Sequence, residues 1–390
     1  MQLNDLFTDL DAHATIPGYI DARDLAEALD VEPGTIRIKK MRGQLPETTK
    51  RIGNANLWSI DDLRRHFERL TSTPNSFHLP ELDPAAPTAV DLFAGCGGLS
   101  LGFQRAGINV KAGFDNWQPA VDTYNLNLDH EAHMLDLGDV AATIEALTPI
   151  MSDVDGIIGG PPCQDFSSAG KRTEGDRADL TEKFADIVKH FKPTFFVMEN
   201  VERAKISRAF GRALETMRSS GYGITPIVLD SSKCGVPQRR KRLITVGFLN
   251  SNHEDEFRPL IESHLAPVSM TMREYFRDDI DFEHYYRHPR SYARRGVFSI
   301  DEPSPTIRGV NRPIPSGYPG HPGDTAPIHT VRTLTTRERA SIQTFPLDFQ
   351  FAGARTTQEQ MIGNAVPVGL AEFVGNAVRR WIELDGYPGE

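Results

Sequence analysis

The sequence predicts an α/β fold, a mostly parallel sheet with helices on both faces. Three observations carry that expectation. From Thr88 onward, short apolar runs (TAVDLFA, NVKAGFD, GIIGG, TFFVMEN, LITVGF) alternate with helical stretches over 116–128, 179–190 and 206–220. That is the pattern of strands joined by crossover helices. The first run ends in a glycine-rich turn that opens a helix, where such folds bring a ligand against the backbone. With 390 residues, 39% hydrophobic and 25% charged, the chain can fill one large core plus one or two smaller ones.

Residues 1–78 read as a separate unit. Asp21 is placed to cap a helix with Ala22, Leu25, Ala26 and Leu29 on one face. A Pro33-Gly34 turn, a short basic helix over Thr35–Met41, a two-strand wing around Gly53-Asn54 and a helix capped by Ser59 follow. This order resembles the winged helix-turn-helix of the MerR and excisionase type. The resemblance implies operator DNA as a partner, with Thr35–Met41 in the major groove and Arg51 near phosphate. Residues 79–87 form a Pro-rich linker, and 88–250 carry the α/β pattern. Over 251–349 the periodicity gives way to Arg, His, Pro and Tyr in turn-dense pieces, which predicts a smaller irregular domain. Within it, 331–346 reads as a capped helix with Thr335 or Thr336 at its start and Glu338 in its first turn. Residues 350–390 return to the main domain and close the chain with a long helix.

The net charge of −10 argues against indiscriminate nucleic-acid binding. Two local clusters leave room for a DNA enzyme: Arg37, Lys39, Lys40, Arg42, Lys50 and Arg51, then Arg287, Arg290, Arg294, Arg295, Arg308 and Arg312. No apolar run approaches the ~20 residues of a membrane span. The acidic N-terminus has no signal-peptide pattern, so no membrane partner and a cytoplasmic location are expected. Cys96, Cys163 and Cys234 have neither disulfide nor zinc spacing, so no metal is expected.

The glycine turn departs from the dinucleotide pattern G-x-G-x-x-G, because Ser100 stands where the third small residue belongs. Asp115 and Asp136 end the next two strands. Carboxylates there suit an adenosine cofactor without a pyrophosphate, hence S-adenosylmethionine; each could equally cap a helix.

The stretch Gly159-Gly160-Pro161-Pro162-Cys163-Gln164 ends an apolar strand and opens a polar loop. Two prolines stiffen the backbone ahead of the thiol. DLFAGCGGLSLGF precedes it. FVMENV, PQRRKRL, TRERASIQTFP and GNAVP follow in that order. Together these motifs resemble the DNA cytosine-5 methyltransferase family over about residues 88–250 and 331–384. The resemblance implies a Rossmann-like catalytic domain with a target-recognition domain in the variable stretch. It implies a loop of Phe93, Ala94, Gly95, Gly97, Gly98 and Leu99 around the methionine part of the cofactor, and Asp115 on its ribose. Asn116, Asp136 and Leu137 then lie near the adenine, with Leu180, Asn364 and Ala365 completing the pocket. At Asn116 the family often carries an adenine-stacking aromatic; here Trp117 follows one residue later.

The implied chemistry is addition of the Cys163 thiolate to carbon 6 of cytosine, which makes carbon 5 nucleophilic. A carboxyl in a confined site can protonate ring nitrogen 3, the role implied for Glu199. Arg240 and Arg242 alternate at strand spacing, and planar guanidinium groups suit the cytosine carbonyl and a flanking phosphate. Gln164, Ser167 and Gln238 are the expected substrate contacts, the first two in a loop closing over a flipped base. The expected function is methylation of a specific double-stranded DNA site in a restriction-modification system, with a restriction endonuclease as genetic partner. Two alternatives are a tRNA cytosine-5 methyltransferase and a transcription regulator that only senses cofactor.

Overall fold

A computed structural model of the chain describes residues 10–29, 31, 33–41, 45–46, 48–53, 55–64, 83–162, 180–250 and 254–385. These fall into two units, one within the first 78 residues and one built on 79–345 and 350–390.

The first unit orders β1 (Tyr19–Ile20), α1 (Ala22–Ala28), α2 (Pro33–Met41), β2 (Lys50–Ile52) and β3 (Ala55–Ser59). Asp21 caps α1 through the Arg23 and Asp24 N–H groups, as the sequence suggests. The expected Pro33-Gly34 turn is instead the first turn of α2. A proline there lacks only an N–H that would have no helical partner. β2 and β3 form the antiparallel hairpin expected around Gly53, and β1 adds on the far side of β3. Leu25, Ile36, Trp58 and Leu63 fill its core. Lys40 is tied inside the unit, donating to Thr48 Oγ1 at 3.2 Å.

The second unit contains β4 (Thr88–Leu92), α3 (Gly98–Arg105), β5 (Asn109–Asp115), α4 (Gln118–Asn125), β6 (Ala132–Met134), α5 (Val140–Leu147), β7 (Gly156–Gly159), α6 (Leu180–Phe191), β8 (Phe195–Val201), α7 (Arg208–Ser219) and β9 (Tyr222–Asp230). β10 (Gln238–Arg239), β11 (Lys241–Leu249), α8 (Glu254–Glu262), α9 (Met272–Phe276), β12 (His284–Tyr286), β13 (Val297–Ser299), β14 (Ser304–Pro305), α10 (Thr336–Ile342), α11 (Arg355–Asn364) and α12 (Val368–Asp385) follow. The central sheet runs β6-β5-β4-β7-β8-β11-β9. Its first five strands are parallel and β11 is antiparallel to both neighbours. Both faces are buried, which makes the strands read as continuous apolar runs. One face packs Phe103, Val246, Leu370 and Val374, the other Val90, Leu92, Phe184, Phe196 and Phe210.

Two expectations change here. The single long C-terminal helix is two, α11 and α12, broken at Ala365-Val366-Pro367. And 251–333 holds a short hairpin, β12 with β13, and the strand β14, which pairs in parallel with β10 outside the main sheet. Within Arg355–Leu384 an 18-residue window reaches a mean hydropathy of 1.2, and 61% of that window is buried within the fold. Thr335 and Glu338 form the capping box read from the sequence.

Candidate active site

A cleft of about 1170 Å3 opens at the carboxyl ends of the parallel strands, where open α/β sheets place their ligands. Three walls meet there.

The first wall is the loop from β4 to α3. Phe93 leaves the strand at a φ of 60°, a left-handed conformation that costs a non-glycine residue about 1–3 kcal/mol and marks functional turns. Gly97 has a φ of 89°, and a Cβ there would sit 3.0 Å from the Tyr124 ring. Phe93, Ala94, Gly95, Gly98 and Leu99 line the cleft, with Asp115, Asn116 and Trp117 beside them; Gly97 lies behind. The Asp115 carboxylate accepts from the Gly95 N–H at 2.8 Å and the Trp117 N–H at 2.9 Å. It therefore holds the loop in shape as well as facing the cleft. Burial pushes its pKa up, and these N–H donors oppose that.

Beneath the loop, Asp91 is fully buried and accepts from Ser100 Oγ at 2.6 Å. Its other oxygen has no partner. Burial, with the nearby Asp115 charge adding to it, pushes Asp91 up to about 7. A folded-state pKa above the unfolded one means the native state holds the extra proton, so stability falls as pH rises toward 7. Asp91→Asn is therefore expected to gain more thermal stability over the natural chain at about pH 8 than at about pH 5. Melting curves at the two pH values check this, and a pH-independent difference would count against it.

The second wall carries the motifs after β7 and β8. The Gly160 N–H donates to Leu92 O at 3.3 Å, and Asn200 Nδ2 donates to Pro161 O at 3.3 Å. Asn200 of the E-N-V run thus fixes the turn that leads to Cys163. Antiparallel pairing sets Arg242 opposite Val201 and Ile244 opposite Glu199, so Arg242 lies diagonal to Glu199, within reach of a long side chain. Arg242 Nε meets Glu199 Oε1 at 2.7 Å, with the two side chains 14% and 12% exposed. A Cβ on Gly160 would lie 3.5 Å from Glu199 Oε2, so the second oxygen faces the start of the cysteine turn. Cys163, Gln164 and Ser167 lie outside the described residues.

The third wall comes from late in the chain. Arg287, Arg290, Arg308 and Arg312 line it with His288, and Leu180, Asn364 and Ala365 close the cleft. Burial, then the Arg308 charge, pushes Arg287 down to about 9. Arg308 is lowered by burial and by Arg290, Arg294 and Arg312. Among the described residues these four form no ion pair. Such a wall is strained by mutual repulsion until it meets an anion. Arg295 is different: it pairs with Glu302 and lies 4.4 Å over the Phe298 ring. Arg294 does not line the cleft.

Four expected site residues are placed away from the expected contacts or tied up within the fold. Arg240 lies in the break between β10 and β11, is 2% exposed, and spends its guanidinium on the carbonyls of Ile307, Gly363 and Ala365 at 3.1, 3.1 and 2.9 Å. Those bonds anchor the side chain, while its Nε has no partner among the described residues and the residue lines the cleft. Gln238 is fully buried, donating to Gln343 Oε1 at 2.7 Å and accepting from the Ile307 N–H at 2.8 Å, so it is shielded from substrate. Asp136 turns its Oδ1 to the Gly138 N–H at 3.0 Å and does not line the cleft. Leu137, 2% exposed, belongs to the core. Trp117, half-buried on the cleft wall, is the aromatic available for an adenine. Sequence reasoning missed Gln343, Arg339 and Glu359, which appeared only as polar residues of helical stretches.

The donor set fits an S-adenosyl cofactor: the Asp115 carboxylate at the end of β5 faces the cleft, the glycine loop brings backbone close to it, and Trp117 stands on the same wall. A model of the C-5 cytosine-specific DNA methylase matches residues 88–380. The chain belongs to that family. The methylase is 50% identical over 294 residues to Type II methyltransferase M.HgiDI of Herpetosiphon aurantiacus, covering 75% of this chain and 94% of that one. It is 51% identical over 292 residues to Type II methyltransferase M.HindV of Haemophilus influenzae, covering 74% and 95%. Its fold is shared with the Entamoeba histolytica methyltransferase EhMeth, at 17% identity and a TM-score of 0.58 over 76% of this chain and 99% of that one. It is likewise shared with S. pombe Dnmt2 methyltransferase, at 17% identity and a TM-score of 0.56 over 77% and 100%. The chain is a DNA cytosine-5 methyltransferase that uses S-adenosylmethionine. The family match begins at Thr88, so the first unit lies outside it.

Proposed function

We propose that this methylase acts on one specific double-stranded DNA sequence through a covalent adduct on Cys163, as the modification half of a type II restriction system in the cytoplasm. The Glu199–Arg242 pair carries the reading: it sits at the foot of the cysteine turn, between the cofactor loop and an unneutralised arginine wall.

When bound, the cofactor supplies an electrophilic methyl group. Phe93 to Leu99, Asp115, Trp117 and the Asn364-Ala365 segment hold it. The Cys163 thiolate adds to carbon 6 of the flipped cytosine. Glu199 holds a proton at ring nitrogen 3, steered by Arg242. Gln164 and Ser167 close over the base. After transfer, loss of the carbon 5 proton and departure of the thiolate restore the ring. Bisulfite sequencing of host DNA after expression tests this reading; methylated cytosines in a single sequence context are expected, and none, or no common context, would sink it.

Residues 251–349 form the target-recognition region in this reading, and 350–390 return to the catalytic domain. Arg290, Arg308 and Arg312 line the cleft with no ion pair among the described residues; Arg308 donates to His288 O at 3.5 Å and Arg287 to Thr306 O at 2.7 Å. A true bidentate guanine contact is expected to contribute about 1–3 kcal/mol of discrimination. Arg308→Ala or Arg312→Ala then relaxes the target at one base, whereas loss of a phosphate contact weakens all sequences alike and flattens the salt dependence. Competition binding across single-base target variants separates the two. Neither outcome in both variants removes this wall from recognition.

The first unit is assigned to operator DNA, with a restriction endonuclease encoded nearby as genetic partner. Its hairpin, α2 and the basic stretch over 37–51 support this; the side chains of Arg37, Lys39 and Arg42 lie outside the described residues. A chain starting near Pro80 is expected to methylate the same target, while removal of the unit abolishes retardation of DNA from upstream of the gene. A changed methylation target would place the unit in target recognition instead.

A further inference from the structure

The turn Gly363–Val366 is gripped from two sides. Toward the cofactor loop, a Cβ on Gly98 would collide with the Val366 carbonyl oxygen. Toward the arginine wall, a Cβ on Gly363 would collide with the backbone of Arg308 and Gly309. Neither contact leaves room for slack.

Buried polar side chains bind the same turn. Gln343 is fully buried and donates to the carbonyls of Ile362 and Ala365 at 2.5 and 3.2 Å. It accepts from Gln238, which holds the Ile307 N–H. Arg240 bridges Ile307 O to Gly363 O and Ala365 O. Arg339, paired with Glu359, donates to Arg308 O. The backbone that presents Arg308 and the backbone that forms the cofactor wall are therefore one hydrogen-bonded body. Packed interiors shift between discrete arrangements and do not deform continuously.

We propose that Gln343 is a positioning residue through which the target-reading wall and the cofactor wall are set together, so that target duplex and cofactor bind cooperatively. This rests on the recognition role proposed above for the arginine wall. Seating the duplex fixes the 307–309 backbone, that fixes the 362–366 turn, and the turn presses on the glycine loop. The coupling is reciprocal: cofactor must tighten duplex binding by the same factor.

The test measures the affinity of the full chain for S-adenosylhomocysteine by calorimetry, with and without the target duplex found by bisulfite sequencing. A duplex with one altered base pair serves as control. The target duplex is expected to tighten binding about 5–150-fold, and the altered duplex less. Gln343→Met removes the hydrogen bonds at similar volume and is expected to bring that ratio toward one. A merely structural role would lower the melting temperature or both affinities and leave the ratio intact. Gly363→Ala, which pushes the two backbones apart without touching Gln343, decides the matter if the first variant does not fold. A natural chain with a ratio of one, or either folded variant with the natural ratio, overturns the proposal. If Arg308→Ala and Arg312→Ala leave duplex binding unchanged while the ratio still falls in Gln343→Met, the arginine assignment fails and the coupling stands.

Discussion

Cys163→Ser loses methylation by on the order of 10³-fold or more, the scale on which removal of a covalent nucleophile acts. The hydroxyl is far less ionised than a thiol at neutral pH and adds poorly to a ring carbon. Cofactor affinity should stay close to that of the natural chain, because the expected cofactor contacts are carried by the glycine loop and Asp115. A duplex carrying 5-fluorocytosine in the target gives the independent readout. Fluorine at carbon 5 cannot leave as a proton, so the natural enzyme is trapped as a denaturation-resistant adduct, and Cys163→Ser is not. Full activity in the serine variant, or no trapping in the natural one, would rule out the covalent route.

Glu199→Gln is expected to lower turnover about 10²–10⁴-fold, the range of a lost general acid. The amide oxygen can still accept from Arg242 Nε, which the carboxylate meets at 2.7 Å, so the side chain should keep its place. What disappears is the exchangeable proton beside the Gly160–Cys163 turn. The loss should fall on single-turnover chemistry and leave duplex affinity nearly untouched. Equal losses in affinity and turnover would instead mean that Glu199 only shapes the site.

The parts of this site that were legible in the sequence are the local ones. Gly95 to Gly98, Pro161-Pro162, E-N-V and Arg242, the last arginine of Q-R-R-K-R, each lie within a few residues of a strand end, so spacing alone locates them. The capping box of Thr335 and Glu338 is local too. The anchoring of Arg240 was not legible because its partners are carbonyls 67, 123 and 125 residues away, which no nearby pattern encodes. Gln238 and Gln343 were hidden for the same reason. Asp136 matched the family by position, yet its carboxylate turns to its own loop. The strand β9 escaped notice because Pro226 stands in its middle. An edge strand tolerates proline, since one side of it needs no donors, and β9 is the edge.

The cleft is closed by the last part of the described chain to be synthesised. Leu370 and Val374 of α12 share a core with Phe103 of α3, and Asn364 and Ala365 stand across from the loop that begins at Phe93. On the ribosome the first strands and their glycine loop emerge with one wall missing. Synthesis proceeds at about 5–20 residues per second, so the N-terminal unit is complete on the order of tens of seconds before the cofactor cleft can close. A product ended before Asn364 would lack that wall of the cleft.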